Sequence, residues 1–204
     1  MNIAKPDYYN NLDKIYSKVW DLLNFGLQNR DAPFHIPVFI CGGNGVSDGR
    51  IVVLRGTNEV EKKIWFHTDI RSNKIKILKL NPKGTFLFYD KSEKIQLRIS
   101  VKIKINYKND ITKSSWEKTA HMSRQCYLGD KAPGVDATTG TSGLTEDIDN
   151  YKYTIEESEN GYKNFCVIEC FVENIEWLYL AAKGHRRASF NLKNKLIEKR
   201  WLIP

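Results

Sequence analysis

The sequence predicts a mainly antiparallel β fold with a few flanking helices. Stretches that alternate apolar and polar residues outnumber stretches with helical spacing. They are separated by Gly, Pro, Asn and Asp clusters of the kind that close hairpins. No βαβ spacing of ~30 residues and no internal repeat is present, so a parallel sheet is not expected.

In chain order, Asp7 to Gln28 places Leu12, Ile15, Val19, Leu22, Leu23 and Leu27 at three- and four-residue steps. This is an amphipathic helix, opened by Pro6–Asp7. Pro37 to Cys41 is a short apolar run, and Gly42 to Gly45 a turn of residues that tolerate positive φ. Asp48 to Gly56 and Lys62 to Thr68 read as strands joined by Thr57-Asn58-Glu59. Ser72 to Leu80 is a short helix with Ile75, Leu78 and Leu80 inward and Lys74, Lys76 and Lys79 mostly outward. Asn81-Pro82 ends it, because the residue before proline is pushed out of helical space.

Gly84 to Asp90 and Glu93 to Tyr107 form a hairpin, and Thr112 to Met122 a helix with Ser114 or Ser115 near its start. The stretch from about 129 to 148 is rich in Gly, Thr, Asp and Ser without a period, so it reads as a long loop, which is usually functional or mobile. Asn164 to Glu173, Asn174 to Ala182 and Gly184 to Leu192 are three further strands, with Trp201 packing the C-terminus.

The 204 residues suit a single domain, and 41% hydrophobic content with 12% aromatics supports a sizeable core. No apolar run approaches the roughly 18 residues that span a bilayer, and the first ten residues lack a signal-peptide stretch. A cytoplasmic location is expected. Cys41, Cys126, Cys166 and Cys170 form no C-x-x-C or zinc-type pair, so no metal site is expected. The net charge of +8 is dispersed. Lys102 and Lys104 alternate with apolar residues as the solvent face of a strand, and a nucleic-acid groove with interleaved aromatics is missing.

Chemistry concentrates between Arg50 and Gln96. R-I-V-V-L-R (Arg50 to Arg55) is followed by F-H-T-D-I-R-S-N-K (Phe66 to Lys74), Asn81-Pro82 and I-Q-L-R (Ile95 to Arg98). A phosphate group favours forked arginine bonds, a lysine point charge and helix N-terminal amides. Thr68, Arg71, Ser72 and Lys74 offer hydroxyls and charge beside the start of a helix. Arg50 and Arg55, five apart, point to opposite faces of a regular strand, so both reach one ligand only if the strand bends or passes alongside it. Taken singly, Arg71 or Lys74 is an ordinary helix-end charge.

In order and spacing this block resembles the pyridoxamine 5'-phosphate oxidase-like family. The resemblance covers roughly Ile36 to Pro204. It implies an antiparallel split β-barrel, mainly β with flanking helices, that holds FMN non-covalently at a homodimer interface. On that resemblance Arg50 and Lys74 bind the phosphate with Thr68, Arg71 and Ser72, while Val52, Arg55, His67 and Gln96 lie along the flavin. Trp177 or its neighbour Leu178 stands where the family has a tryptophan near the flavin, and Arg187 or Arg186 meets the flavin of the partner subunit. Arg124 matches an arginine that holds the substrate phosphate in the oxidases proper, but the tyrosine and serine that join it there fall near Ala120 and Leu128.

The function implied is an FMN-dependent oxidoreductase passing two electrons between unidentified small molecules, with neither nucleic acid nor membrane as a partner. Two alternatives are a flavin-binding or storage protein without turnover and a heme-binding split barrel, the latter drawing on His67, His121 or His185.

Overall fold

The structure, a computed structural model, describes residues 5–43, 45–182 and 184–204. Among the described residues nine strands form one antiparallel sheet: β1 (Val38–Gly43), β2 (Val46–Ile51), β3 (Leu54–Asn58), β4 (Lys63–Asp69), β5 (Lys83–Asp90), β6 (Ile95–Asn106), β7 (Phe165–Tyr179), β8 (Arg186–Asn191) and β9 (Glu198–Leu202). Their order is β2-β1-β5-β6-β7-β4-β3, with β8 added to β7 and β9 to β8. The helices are α1 (Leu12–Gln28), α2 (Asn73–Leu80), α3 (Asp110–Glu117) and three single turns, α4 (His121–Arg124), α5 (Glu146–Asp149) and α6 (Ile155–Ser158). Among the described residues no helix is long and apolar enough to cross a membrane.

The sheet is split rather than closed, and β7 makes the split. One of its edges pairs with β6 along nearly the whole strand. The other edge pairs with β4 from Phe165 to Phe171 and then with β8 from Asn174 to Tyr179. The two strands expected from 164 to 182 are thus one strand that changes partner, with a bulge at Glu173 in its pairing to β6 where the exchange falls.

The strand expected over Asp48 to Gly56 is two strands instead. The Val52 amide extends the β1–β2 register by one residue, donating to the Pro37 carbonyl at 3.0 Å, and the chain then passes into β3, which pairs with β4 instead. Two residues later a bulge falls between Leu54 and Gly56, leaving Arg55 without a partner on β4. Arg50 and Arg55 are therefore aimed independently of strand parity. Of the turn expected at Gly42 to Gly45, Asn44 lies outside the described residues.

The helix starts also differ from expectation. The α1 cap is Asn11, whose Oδ1 accepts from the Asp13 and Lys14 amides at 3.0 Å each. Residues 7–10 form a preceding turn in which Tyr8 and Tyr9 are buried against Trp177 and Tyr179. The α3 helix begins at Asp110 because Asn109 and Thr112 form a capping box, and it ends at Glu117 rather than Met122. In α2, Ile75 and Leu78 are buried as expected, but Leu80 is 80% exposed and Lys74 turns inward.

The main core lies between the sheet and α1. Phe39, Phe66 and Phe86 meet with ring centroids 5.0 to 6.0 Å apart. Ile15, Val19, Trp20 and Leu23 of α1 close it. Gly26 permits the chain to double back here, because a Cβ would stand 2.7 Å from the Phe34 carbonyl carbon. A second cluster of Trp116, Tyr127, Phe165 and Val167 packs α3 onto the other face of β4 and β7. Trp201, expected to pack the C-terminus, is 42% exposed on β9, a strand the sequence did not announce.

Candidate functional site

The turn from β4 into α2 gathers most of the anion-binding candidates. The Lys74 ammonium donates to Thr68 Oγ1 at 2.7 Å and Ser72 Oγ at 3.2 Å. Thr68 and Ser72 are buried, and Lys74 is half-buried. Ser72 occupies the N-cap of α2 but its side chain makes no capping bond, so the first amides of the helix keep their capacity to bind an anion. Burial, reinforced by the nearby Arg50 guanidinium, pushes the Lys74 pKa down. Among the described residues Lys74 forms no ion pair. The site therefore concentrates positive charge answered by hydroxyls.

Arg50 arrives from β2 and pairs with Asp48, two residues earlier on the same face of the strand. Buried Cys41 and Cys166 complete the wall, and Cys166 Sγ donates to the Thr68 carbonyl at 3.2 Å. Burial raises the Cys166 thiol to about 12, so it is a neutral wall and not a nucleophile.

Arg71 is held differently. Its Nε and Nη2 engage the Asp69 carboxylate at 2.7 to 3.2 Å, and its Nη1 and Nη2 also donate to the Asp130 and Gly129 carbonyls at 3.0 and 2.9 Å. The guanidinium thus ties the turn to the long loop.

The remaining candidates sit elsewhere. Gln96 on β6, Leu178 on β7 and Arg187 on β8 are cross-strand neighbours and share the outer face of the sheet. Arg187 is ion-paired with Glu176 at 2.5 Å. Trp177 projects to the opposite face, is wholly buried, and stacks with Tyr179 at 6.1 Å, so Leu178 is the residue that joins Gln96. Val52 is buried at the strand break. Arg186 lies over the Tyr9 ring at 4.6 Å and donates to Asn10.

Arg124 is buried, and protein groups engage its donors. They bond Thr119 O, Trp116 O, Ser158 Oγ and the Glu159 carboxylate at 2.5 to 3.1 Å. A substrate group would have to displace these to reach it. His67 packs edge-on against Phe165, 4.7 Å between centroids, on the side of β4 opposite Thr68. Its Nε2 has no partner among the described residues, and burial with the nearby Arg55 charge lowers its pKa to about 3.

Asp48 and Asp69, which hold two of the arginines, were not singled out from the sequence. Each lies two residues before its arginine, a spacing that places both on one face of a strand or across one tight turn.

The chain is an antiparallel split barrel whose β4–α2 turn carries a lysine and two hydroxyls, a candidate anion site. Residues 42–106 match the model of the pyridoxamine 5'-phosphate oxidase, FMN-binding domain family. The segment contains Arg50, Thr68, Ser72, Lys74 and Gln96. No curated protein matches the chain in sequence.

Among solved structures, a pyridoxamine 5'-phosphate oxidase-related, FMN-binding protein of Nostoc punctiforme is similar at TM-score 0.74 and 15% identity, covering 99% of this chain and 100% of that one. PhzG of Burkholderia lata, solved with tetrahydrophenazine-1-carboxylic acid, is similar at TM-score 0.73 and 12% identity, covering 100% and 99%. At these identities the likeness is one of fold, an antiparallel split barrel.

Proposed function

We propose that the chain binds FMN, with the phosphate in the Arg50, Thr68, Ser72 and Lys74 cradle, and serves as an oxidoreductase for a small substrate. The observation that carries this reading is Lys74. It is a half-buried ammonium beside a second cation, ligated by two hydroxyls and by no carboxylate among the described residues. A dianionic phosphate satisfies such a site, because it restores the solvation that burial removed. Bound FMN would supply two-electron redox chemistry, while the protein supplies position and electrostatics.

In this reading Arg50 exchanges its Asp48 partner for phosphate, and Arg71 keeps the turn rigid through Asp69 rather than binding the ligand itself. The Val52 segment runs beside the cofactor.

Gln96 and Arg187 reach a flavin from a second copy of the chain. The outer face they share also presents Ile51 and Tyr89, 64% and 52% exposed, with half-buried Val38, Leu87 and Leu178 beside them. Such a patch suits a homodimer interface better than free solvent. The neighbour solved with a phenazine carboxylate supports a small organic substrate, and a reducing cytoplasm fits four unpaired thiols.

The test is the visible spectrum of the purified protein with the released cofactor identified by mass, together with its size in solution. Stoichiometric FMN in a dimer is expected. A colourless protein that ignores added FMN overturns the proposal. Turnover with a reduced nicotinamide nucleotide separates an enzyme from a storage protein.

A further inference from the structure

The strand register arranges the outer face around Gln96 and Arg187 in two rows. One runs Gln96, Leu178, Arg187 across β6, β7 and β8, and the next runs Arg98, Glu176, Ser189. On β9 the rows continue with Leu202 and Arg200. Three arginines therefore share these rows with one carboxylate, that of Glu176. Its Oε2 accepts from Arg187 Nη2 at 2.5 Å and its Oε1 from Arg98 Nη2 at 3.5 Å. A single carboxylate thus bridges guanidinium groups reaching it from the strands on either side, with its side chain only 22% exposed.

As a structural feature this bridge contributes little. Opposite charges paired across strands support a sheet modestly, and partly exposed ion pairs less than their geometry suggests. Its place matters more. Arg187 stands in the same row as Gln96, and a cation at a flavin stabilises the negative charge that the ring gains on reduction. A carboxylate bonded to that cation subtracts from the same field, and Arg98 on its other side adds to it. Covering the face with a ligand or a second copy removes water and strengthens each of these effects.

We propose that Glu176 sets the reduction potential of the bound flavin: by bridging Arg187 and Arg98 it withdraws part of their positive field and keeps the potential low. The inference rests on the reading in which Gln96 and Arg187 reach the flavin. Glu176 touches the arginine and not the cofactor, so it is a positioning residue. A charge moves a redox equilibrium only by acting differently on its two states. The flavin ring is neutral when oxidised and negative when reduced, so Glu176 bears chiefly on the reduced form. The reduced flavin is thereby made the stronger reductant, suited to handing electrons on.

The test is the reduction potential of bound FMN, measured by equilibration with a reference dye in the wild type, E176Q, R98Q and the double variant. The affinity for oxidised FMN is measured alongside. Glutamine keeps the length of Glu176 and an oxygen to accept from Arg187, so E176Q removes the charge and leaves the shape. E176Q is expected to favour the reduced flavin at least tenfold relative to the oxidised, an upward shift of about 30 mV for a two-electron couple. R98Q is expected to shift the potential downward, and the double variant, with the net charge of the wild type, to return close to it. A purely structural bridge would weaken FMN in both single variants without shifts of opposite sign. An unchanged potential in E176Q, or shifts of one sign in both, overturns the inference. If E176Q fails to hold FMN, R98Q decides, since its side chain is 51% exposed and replaceable without touching the core. No downward shift there overturns the inference as well. A wild type that takes up no FMN overturns the flavin reading instead.

Discussion

Lys74 donates to the Thr68 hydroxyl at 2.7 Å across the turn between β4 and α2, a contact in which a charged donor meets a neutral acceptor. Its partner explains its pKa: a hydroxyl solvates an ammonium less fully than water or a carboxylate, so burial and Arg50 prevail and the charge is held at a cost.

Removing either cation should weaken the cradle. Lys74→Ala and Arg50→Ala are each expected to reduce FMN affinity by about 1.5–3 kcal/mol, the scale of a charged hydrogen bond. Fluorescence titration of FMN measures this, and unchanged affinity in both variants would sink the phosphate assignment.

Asp48 should act in the opposite sense. Its carboxylate stands on Arg50 and repels an incoming phosphate. Asp48→Asn is expected to tighten FMN by about 1 kcal/mol, the upper range for a partly exposed pair. Weaker binding in D48N would mean that Asp48 orients Arg50 rather than competing for it.

His67 makes stability depend on acidity. Its pKa is about 3 in the folded protein against the ordinary 6.5, so between these values the unfolded chain binds a proton that the fold refuses. Stability therefore rises with pH across that window and falls as pH drops below 6.5. Urea unfolding at pH 7.5 and pH 5.0 should show a smaller loss in His67→Gln than in the wild type. Equal losses would remove His67 from the account.

Arg124 should matter for folding before it matters for any ligand. Arg124→Ala leaves the carbonyls of Trp116 and Thr119 without their donor and removes the cation stacked 4.7 Å from the Trp116 ring. A loss of about 2–4 kcal/mol is expected, from unsatisfied buried acceptors and lost packing. A variant as stable as wild type in thermal unfolding would free Arg124 for a ligand role.

Much of the fold was legible because alternation is local. Lys63 to Asp69 and Ile95 to Asn106 show their strand period directly, and the T-D-I-R-S-N-K run announced the cradle through residue type alone. What was not legible depended on distant partners. Nothing in R-I-V-V-L-R signals that the Val52 amide will bond to Pro37, and nothing at Asn174 signals that β7 exchanges β4 for β8. Leu80 and Lys74 exchanged their expected roles because the ammonium is drawn toward Thr68, a contact stronger than the pattern of a two-turn helix. Arg124 was matched to a substrate-phosphate arginine by resemblance, and its bond to Glu159, 35 residues away, could not be read from the local sequence.

The change of partner on β7 has a consequence for how the molecule opens. Its 15 residues carry two successive ladders on one edge, meeting at Val172 and Glu173. Fraying that began at β9 would have to undo the β8–β7 ladder, which carries buried Ala188 and Phe190, and would still leave the β4–β7 ladder intact. The two ladders are thus separable units, and opening the one that carries Arg187 does not require loosening the strand that carries Thr68.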